Sequence, residues 1–474
     1  MKKRVCAVSL AVCVAAVAAG SDGGSGRSLE ETDYGEPTRP QLRFSQKRGW
    51  VNDPNGLSYY RGEWHFFFQH NPTSTKWGNL HWGHAVSKDL VHWNEVGDTI
   101  GPEGDVLMFS GSAVVDRDGT AGFGADAHLL FYTAAPCGKP PSGVFRQELA
   151  WSRDGRTYAK WTENPVVPGQ AGAKGDRDPF VFWHAPSKTW VMVLYLELGG
   201  QHVFRIFNST DLRHWTPTQD LAGDRCGKGK WRYECPGLVQ LKNETDGTCH
   251  WVLWGAGPLY DVGDFDGRRF TPREERLVAY VGGDGNSYYA GQVFNGAPDG
   301  RIIKVEWFRM QLGEDGFNQA FSLPQELSLR TTQEGLRLVR RPIRELASLR
   351  RGPAVTLDKF SGELAELDLS CDIRPGASVT FDLRGVELTY DADAATLTCC
   401  GRKAPWVLRD GRLELLAFLD RVGIEIFSKD GLQTFPVPEA RPDRRRSDLK
   451  ALTRGTVGNP AFRAYALRSI HESD

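Results

Sequence analysis

The chain has 474 residues, a charged fraction of 25% and a formal net charge of −1. A chain of this length exceeds one ordinary hydrophobic core, so two domains are expected. The near-zero net charge argues against a nucleic-acid partner, which would require a basic excess. The 15 tryptophans and the aromatic share of 11% mostly indicate core packing, and they also suit a protein that binds sugars.

The N-terminus predicts export. Residues 1–20 begin with the basic stretch Met1–Arg4 and continue with the apolar run Val5–Ala19, after which small residues follow. This order is typical of a signal peptide, and the apolar run is too short to span a bilayer comfortably. We expect a secreted protein, extracellular or periplasmic, with no membrane span. A retained anchor with Cys13 lipidated is the alternative, and the bulky Val12 beside it disfavours that.

A linker is predicted after the signal peptide, and the cysteines do not indicate a metal site. Residues 21–40 are rich in glycine and serine and then acidic, which indicates a linker. Two of the nine cysteines lie in the signal peptide, and the odd number that remains leaves at least one thiol free or paired with another chain. No CxxC spacing occurs, so no zinc site is supported. We predict no metal and no cofactor.

Short apolar runs separated by Gly, Pro, Asn and Asp dominate residues 41–329, and no convincing long helical period precedes residue 320. The runs have the lengths and the residue types of β-strands. They include Trp64–Phe68, Leu129–Tyr132, Phe180–Trp183, Trp190–Leu196 and Trp251–Trp254.

A repeated heptapeptide suggests how these strands are organised. Ser87–Trp93 reads SKDLVHW, Ser209–Trp215 reads STDLRHW, and Ser152–Tyr158 is a weaker copy. Each copy follows an apolar run, so each is predicted to form the same turn at the edge of successive sheet units. Repeated all-strand units favour the blades of a β-propeller. A solenoid is the alternative, and the sparse, irregular repeat disfavours it.

The C-terminal third predicts a second domain. Residues 331–351 are rich in arginine and include a short predicted helix at 343–349, and strands with clear alternation return after residue 352. Alternation of this kind suits a two-sheet sandwich with one solvated face on each sheet. We therefore predict a propeller over residues 41–335, a linker with a short helix over 336–355, and a β-sandwich over 356–474.

Three carboxylates lie in unusual local settings. Asp53 lies within Trp50–Gly56, a segment that would also form an ordinary Asx turn between strands. Asp178 follows Arg177, whose charge is expected to hold the acid ionised. Glu234 is flanked by aromatic residues, and desolvation is expected to raise its pKa, as a general acid requires. Each motif is weak alone, and only a fold that gathers separate sheets around one axis would bring them together.

Further motifs extend the pattern. They are Phe68–Pro72, Trp77–His84, Phe109–Ser112, Arg177–Pro179, Glu234–Pro236, Asp284–Ala290, Phe321–Pro324, and Ala417–Arg421 with Glu425–Phe427. In this order, and together with Trp50–Gly56, they resemble glycoside hydrolase family 32, the invertases, levanases and exo-inulinases. The similarity runs from Gln41 to Ile470.

The resemblance implies an all-β protein with a five-bladed β-propeller followed by a C-terminal β-sandwich. It implies a retaining hydrolase of β-fructofuranosides in which Asp53 is the nucleophile, Glu234 the general acid/base and Asp178 the transition-state stabiliser. Substrate contacts are implied for Asn52, Gln69, Trp77, Phe109, Ser110 and Arg177.

The chemistry accounts for two of the acids. Cleavage of a ketosidic bond builds positive charge at the anomeric carbon, which one carboxylate traps while a carboxyl on the other face protonates the leaving oxygen. We expect a secreted, exo-acting enzyme on levan, inulin or sucrose, with no nucleic-acid partner. A fructosyltransferase, an inactive fructan-binding protein and an arabinan-type hydrolase are the alternatives.

The sequence departs from the family pattern at three places. Gly237 stands where relatives often have Asp, Gly291 where they often have Pro, and Gln325 where many have Arg. These departures bear on substrate preference more than on the reaction. His70, His81 and His84 are interpreted as hydrogen-bonded strand or pocket-wall residues, not as metal ligands, and the C-terminal domain is expected to brace the propeller.

Overall fold

The computed structural model describes residues 34–138, 143–281, 287–312 and 316–472. Within these ranges the chain forms 33 strands and two short 3₁₀ helices, so the expected all-β class is confirmed. The expected signal peptide at 1–20 and most of the expected linker at 21–40 lie outside the described residues. In the part of the chain that is described, no helix is long and apolar enough to cross a membrane.

Five antiparallel sheets follow one another along the chain and form the five predicted blades. The first has β1 Gly49–Tyr60, β2 Glu63–Asn71, β3 His81–Ser87 and β4 Asn94–Ile100. The second has β5 Val106–Asp116, β6 Ala127–Pro136, β7 Arg146–Ser152 and β8 Ala159–Lys160. The third has β9 Ala173–His184, β10 Thr189–Leu198, β11 Gln201–Ser209 and β12 Thr216–Arg225.

The last two blades complete the ring. The fourth has β13 Gly237–Lys242, β14 Cys249–Trp254, β15 Leu259–Phe265 and β16 Phe270–Val278. The remaining strands are β17 Tyr288–Val293, β18 Ile302–Phe308, β19 Phe317–Asn318, β20 Ala320–Phe321, β21 Gln325–Thr332 and β22 Gly335–Pro342. All of these join the fifth blade except β19, which pairs in parallel with β1 and so links the end of the propeller to its beginning.

The apolar runs are continuous because the inner strands are buried on both faces. On β2, Phe66 and Phe68 pack in one hydrophobic cluster while Phe67, between them, packs in another. Successive residues of a strand point to opposite faces, so a strand between two packed blades needs apolar residues at every position.

The heptapeptide repeat forms the predicted turn in the first three blades. In the first, the Ser87 hydroxyl accepts the Leu90 backbone N–H at 2.9 Å, and the Trp93 indole donates to the Leu90 carbonyl at 3.1 Å. Ser209 and Trp215 make the equivalent bonds with Leu212. Each turn joins the third strand of its blade to the outermost strand, which confirms the interpretation of the repeat.

The segment expected to be a linker, 336–355, begins in the structure as a strand. Over Gly335–Pro342, β22 pairs with β21 as the outermost strand of the fifth blade. Its arginines suggested an open segment, but they bind acids of the propeller: Arg337 pairs with Glu274 and Arg341 with Glu244. The predicted short helix is present as the 3₁₀ helix Arg344–Leu349.

The C-terminal strands form two sheets. They are β23 Val355–Thr356, β24 Ala365–Ile373, β25 Ser378–Leu383, β26 Val386–Asp391, β27 Thr396–Cys399, β28 Arg402–Pro405, β29 Arg412–Leu419, β30 Ile424–Ser428, β31 Thr434–Val437, β32 Leu449–Arg454 and β33 Val457–Ala466. The second 3₁₀ helix is Leu357–Lys359. One sheet has the order β23-β33-β24-β29-β30-β31 and the other β28-β27-β26-β25-β32. On β25, buried Val379, Phe381 and Leu383 alternate with half-buried polar residues, as a sandwich requires.

The sandwich and the propeller share a hydrophobic core. Phe418 and Phe427 of the sandwich lie in the same buried cluster as Phe66 and Phe321 of the propeller. Leu346 of the 3₁₀ helix also belongs to this cluster. The two domains are therefore packed against each other over apolar surface.

Candidate active site

Asp53 lies within the innermost strand of the first blade, not in a turn. The β1–β2 register shifts between Val51 and Pro54, so a bulge displaces the segment that carries Asp53. Such a bulge re-aims the side chain away from the regular pleat. The Asp53 carboxylate accepts the Ser110 hydroxyl at 2.6 Å, and Ser110 belongs to β5, the innermost strand of the second blade.

Asp178 lies on β9 at a second irregularity. Its φ of 65° is in the left-handed region, and the β9–β10 register shifts on its N-terminal side. A non-glycine residue in this region is strained, and strain of this kind concentrates at functional sites. The Asp178 carboxylate accepts the Cys235 backbone N–H at 3.0 Å, while its own backbone N–H donates to the Thr133 hydroxyl at 2.9 Å.

Glu234 lies in the turn that precedes β13, and both it and Cys235 have positive φ, at 50° and 42°. Arg177 donates to one Glu234 oxygen at 2.6 Å, and the Tyr289 hydroxyl donates to the other. The Arg177 guanidinium also lies over the Tyr195 ring, 4.5 Å from its centroid. Glu234 is therefore oriented by the third and fifth blades.

Cys235 connects the three acids. Its thiol lies 3.5 Å from a carboxylate oxygen of Asp53 and 3.5 Å from one of Asp178, and it follows Glu234 directly in the chain. The structure thus brings together the three carboxylates that the sequence indicated. The acids come from the first, third and fourth blades, each from the innermost strand or the turn before it, which is the convergence that a propeller axis allows.

Burial and charge act differently on the three acids. Burial raises the pKa of Asp53, although hydrogen bonds from Ser110 and Asn52 oppose it. Burial also raises the pKa of Asp178 to about 7, against the charge of Arg177. The expectation that Arg177 would hold Asp178 ionised was therefore wrong, because desolvation exceeds the effect of an arginine that Glu234 also engages.

The pKa of Glu234 also differs from the expectation. Burial acts to raise it, but the charge of Arg177 and hydrogen bonds from Tyr289, Arg177 and Tyr233 together lower it below its ordinary value. The prediction that desolvation by flanking aromatic residues would raise this pKa was wrong, because the charge of Arg177 and the hydrogen bonds together outweigh burial, and the flanking Tyr233 is itself one of the donors. Hydrogen bonds to the ionised form favour that form.

The other predicted contact residues lie in the first two blades. Asn52 is buried and accepts the Trp50 indole N–H at 3.1 Å. Gln69 is buried and donates to the Met108 carbonyl at 2.9 Å, and its Oε1 has no hydrogen-bond partner among the described residues. Trp77 is 38% exposed, with its ring 6.0 Å from that of Phe109 in an edge-to-face contact.

Two neighbours of the acids had no assigned part in the sequence interpretation. Tyr289 was quoted as part of a motif, yet its bond to Glu234 depends on the fifth blade meeting the fourth. The Cys235 thiol was noted beside Glu234, yet its reach to Asp53 and Asp178 depends on backbone geometry. The motifs contained both residues, and no spacing in the chain indicates either contact.

Two of the residues that depart from the family pattern, Gly237 and Gly291, both contact the Trp254 indole. A Cβ atom at Gly237 would lie 2.4 Å from the Trp254 ring, so a larger residue there requires that ring to move. The Trp254 indole donates to the Gly291 carbonyl at 3.1 Å, and a Cβ at Gly291 would lie 2.3 Å from Lys304. Gln325, the third departure, accepts a hydrogen bond from Arg340. Any larger residue at Gly237 or Gly291 would therefore require the neighbouring side chains to move.

The histidines considered as ligands all have protein partners. His70 contacts Asp98 and the Arg48 carbonyl, and His81 contacts the Asn79 carbonyl. His84 contacts His65. No group of three or more metal-ligating side chains is found within the described ranges. Outside the expected signal segment, the residues Cys226, Cys235, Cys249, Cys371, Cys399 and Cys400 are free thiols in the structure.

Comparison with known proteins defines the class of enzyme. The model of the glycosyl hydrolases family 32 N-terminal domain matches residues 43–342, more than half of the chain. The chain therefore belongs to glycosyl hydrolase family 32, and it is a glycosidase of the β-fructofuranosidase type.

Individual relatives and solved structures agree with this class. A levanase of Bacillus subtilis (strain 168) is 32% identical over 95% of this chain and 72% of its own length. An extracellular exo-inulinase of Aspergillus awamori is 33% identical over 73% of this chain and 74% of its own. The crystal structure of an Aspergillus awamori exo-inulinase superimposes with a TM-score of 0.81 at 26% identity, covering 92% of this chain and 99% of that one.

Proposed function

We propose that this glycosidase releases fructose from β-fructofuranosides with retention, through a covalent fructosyl-enzyme intermediate. The observation that carries the proposal is the cluster of Asp53, Asp178 and Glu234 around the Cys235 thiol. Retention requires a nucleophile and an acid about 5–5.5 Å apart. A cluster that holds these carboxylates side by side is suited to that requirement.

The three acids take different parts in this proposal. Asp53, aimed by its bulge and held by Ser110, is the nucleophile that traps the anomeric carbon. Glu234 protonates the leaving oxygen and then activates water. Asp178 binds hydroxyls of the fructosyl ring and stabilises the charge that develops there. Asn52, Gln69, Trp77, Phe109, Ser110 and Arg177 are the proposed sugar contacts.

The acid cluster is able to hold a proton close to neutral pH. The pKa of Asp178 is raised to about 7, so below that pH the cluster retains a proton. Glu234 is ionised while it is paired with Arg177. We propose that sugar hydroxyls which engage Arg177 and Asp178 weaken this pair and favour the protonated form of Glu234.

The substrate and the compartment follow from the relatives. The levanase and the exo-inulinases similar to this chain indicate levan or inulin, with sucrose as a smaller alternative. The extracellular exo-inulinases and the N-terminal sequence support secretion. N-terminal sequencing of exported protein tests the signal peptide, and an intact Met1 there would contradict it.

Product analysis on sucrose, inulin and levan tests the activity. Free fructose as the sole early product supports exo-hydrolysis, a ladder of oligosaccharides indicates endo-action, and longer chains indicate transfer. NMR of the first-formed fructose distinguishes retention, which gives the β-anomer, from inversion. Binding of levan with no turnover would instead support the inactive fructan-binding alternative, although all three acids are present.

Asp53→Ala is expected to reduce turnover by a factor of about 10⁴ or more, because the covalent step loses its nucleophile. The variant should keep the wild-type far-UV circular dichroism, since the removed side chain forms no part of a hydrophobic cluster. Initial rates of fructose release measure the effect. Ser187→Ala, on a surface turn of the third blade, is a control that should retain full activity. Near-normal turnover by Asp53→Ala would refute the nucleophile assignment.

A further inference from the structure

We propose that Glu425, a buried residue of the β-sandwich, is a positioning residue for the reaction. It holds Tyr288 in the fifth blade, and Tyr288 precedes Tyr289, whose hydroxyl donates to Glu234. The inference rests on the proposed function, in which Glu234 is the acid/base. It gives the sandwich a part in catalysis beyond bracing.

The sandwich holds the start of β17 at two points. The Tyr288 hydroxyl donates to Glu425 on β30, and both side chains are fully buried. Arg402, at the start of β28, donates to the Ser287 hydroxyl at 2.8 Å. Two consecutive residues just before Tyr289 are therefore fixed by side chains of the other domain.

Glu425 is itself fixed. Its other carboxylate oxygen accepts the Leu323 backbone N–H at 3.0 Å and lies 3.3 Å from an Arg43 nitrogen. A buried carboxylate with these partners is costly to move, because any displacement leaves a desolvated charge without its hydrogen bonds. The Tyr288 hydroxyl is thus bound to a rigid acceptor.

The position of Tyr289 depends on how firmly the N-terminal end of β17 is held. Regular pairing with β18 holds Tyr289 opposite Trp307, and the register shifts immediately after Tyr289. The next residue, Ala290, has a φ of 52°. Ladder hydrogen bonds therefore constrain the C-terminal side of Tyr289 less than in a regular strand, and a single bond from the Ala290 N–H to the Ala256 carbonyl at 2.9 Å acts there instead. The side chains of Ser287 and Tyr288 add a restraint from the N-terminal side.

The chain offers a matched control for the domain interface. Asp420 is also a fully buried sandwich carboxylate and also lies 3.3 Å from Arg43. It accepts backbone N–H groups of Gln41 and Leu42, far in sequence from Tyr289. Asp420→Asn therefore weakens the interface without touching the start of β17, whereas Glu425→Gln and Tyr288→Phe act on both.

The test compares kinetics of these variants on levan, inulin or sucrose, whichever the wild type hydrolyses. Tyr289→Phe is expected to lower kcat about tenfold, less than the roughly 10²–10⁴-fold that complete loss of an acid/base group costs, because Glu234 itself remains in place. Tyr288→Phe and Glu425→Gln should lower kcat about fivefold with KM within about twofold. Asp420→Asn should lower Tm and leave kcat within about twofold. A double variant, Tyr288→Phe with Tyr289→Phe, should be no slower than Tyr289→Phe alone, because the two act through one contact.

The pH profile separates positioning from loss of stability. Glu234 faces Arg177, Tyr233, Tyr289 and the carboxylates of Asp53 and Asp178. In Tyr288→Phe the displaced Tyr289 forms a weaker hydrogen bond to Glu234, which raises the pKa of Glu234. The limb of the pH profile of kcat/KM that Glu234 governs should therefore move to higher pH. It should not move in Asp420→Asn.

Hydrogen exchange provides a readout that does not depend on turnover. In Tyr288→Phe, backbone amides of residues 288–291 should exchange faster than in the wild type, as measured by mass spectrometry. Unchanged exchange and unchanged kcat in a folded Tyr288→Phe would overturn the proposal. An equal loss of kcat in the Asp420→Asn control would overturn it too. Faster exchange in a protein that releases no fructose would instead refute the proposed function and leave the positioning intact.

Discussion

Burial and charge have opposite effects on individual carboxylates of this protein. Asp178 is buried with a pKa of about 7, so the folded state binds its proton more tightly than the unfolded chain does. Asp211, in a surface turn, shows the reverse: burial acts to raise its pKa, but hydrogen bonds from His214, Arg213 and Ser209 lower it to about 2. The first arrangement destabilises the folded protein at neutral pH, and the second stabilises it.

Asp178→Asn is therefore expected to stabilise the protein while it abolishes most activity. Between the ordinary carboxyl pKa and about 7, stability falls as pH rises, because the folded state loses a proton that the unfolded state has already released. The variant lacks this loss, so its gain in unfolding free energy should be larger at pH 8 than at pH 5, by on the order of 2 kcal/mol, with a correspondingly larger rise in Tm.

Thermal denaturation at the two pH values measures this effect. Asp211→Asn is the matched control and should lower Tm at both, since it removes the charge that hydrogen bonds from His214, Arg213 and Ser209 stabilise and replaces the Oδ2 atom that His214 contacts. A lower Tm for Asp178→Asn at pH 8 would contradict the account of its burial.

At the scale of the strands, three buried histidines lie where the first blade packs against the second. His65 on β2 contacts His84 on β3 at 3.0 Å, and His128 on β6 binds Ser58 and Tyr158. Burial lowers the pKa of His65 to about 4, with the charge of Arg156 adding to this effect and that of Glu63 opposing it. Burial also lowers the pKa of His84 and of His128.

Stability should consequently fall as pH drops from about 6.5 toward 4, where the unfolded chain binds protons that the folded blades exclude. Each histidine that stays neutral contributes about 1.4 kcal/mol per pH unit in that window. His84→Gln should reduce the difference in unfolding free energy between pH 7 and pH 5, measured by urea denaturation.

The exposed His214 offers a comparison for this experiment. Its side chain is 82% exposed and lies in a turn of the third blade, so His214→Gln leaves the three buried histidines intact. If the unfolding free energy of His84→Gln changes with pH as it does in the wild type, the buried histidines do not set the acid sensitivity.

At the scale of the whole molecule, the propeller and the sandwich are joined by apolar and charged contacts. Phe418 and Phe427 of the sandwich belong to the cluster that contains Phe66 and Phe321. Arg43, in the segment before β1, lies fully buried between Asp420 and Glu425. A domain that loses this surface exposes both a hydrophobic patch and an uncompensated charge.

We therefore expect the two domains to unfold together. Differential scanning calorimetry of the intact chain should give a single transition, with the calorimetric enthalpy equal to the van't Hoff enthalpy. Two resolved transitions would show that the interface contributes little. Arg43→Met removes the buried cation and should lower the midpoint without splitting the peak if the apolar contacts dominate.

The sequence by itself predicted the strands, the repeated turns and the all-β class, and it indicated Asp53, Asp178 and Glu234 as candidate acids. These follow from local signals: apolar runs of strand length, the Ser–Asp turn at Ser87 and Ser209, and short motifs around Asp53, Asp178 and Glu234. The strand β22 was missed because its arginines resemble a linker until the acids that pair with them are seen.

Tertiary structure alone decided the protonation of the site and the contacts between domains. The pKa values of Asp178 and Glu234 depend on which groups desolvate or hydrogen-bond each carboxyl, and those groups come from other blades. The link from Glu425 through Tyr288 to Tyr289 joins residues 137 apart in the chain. Contacts of this kind leave no periodic trace in a sequence, because they depend on how whole domains pack.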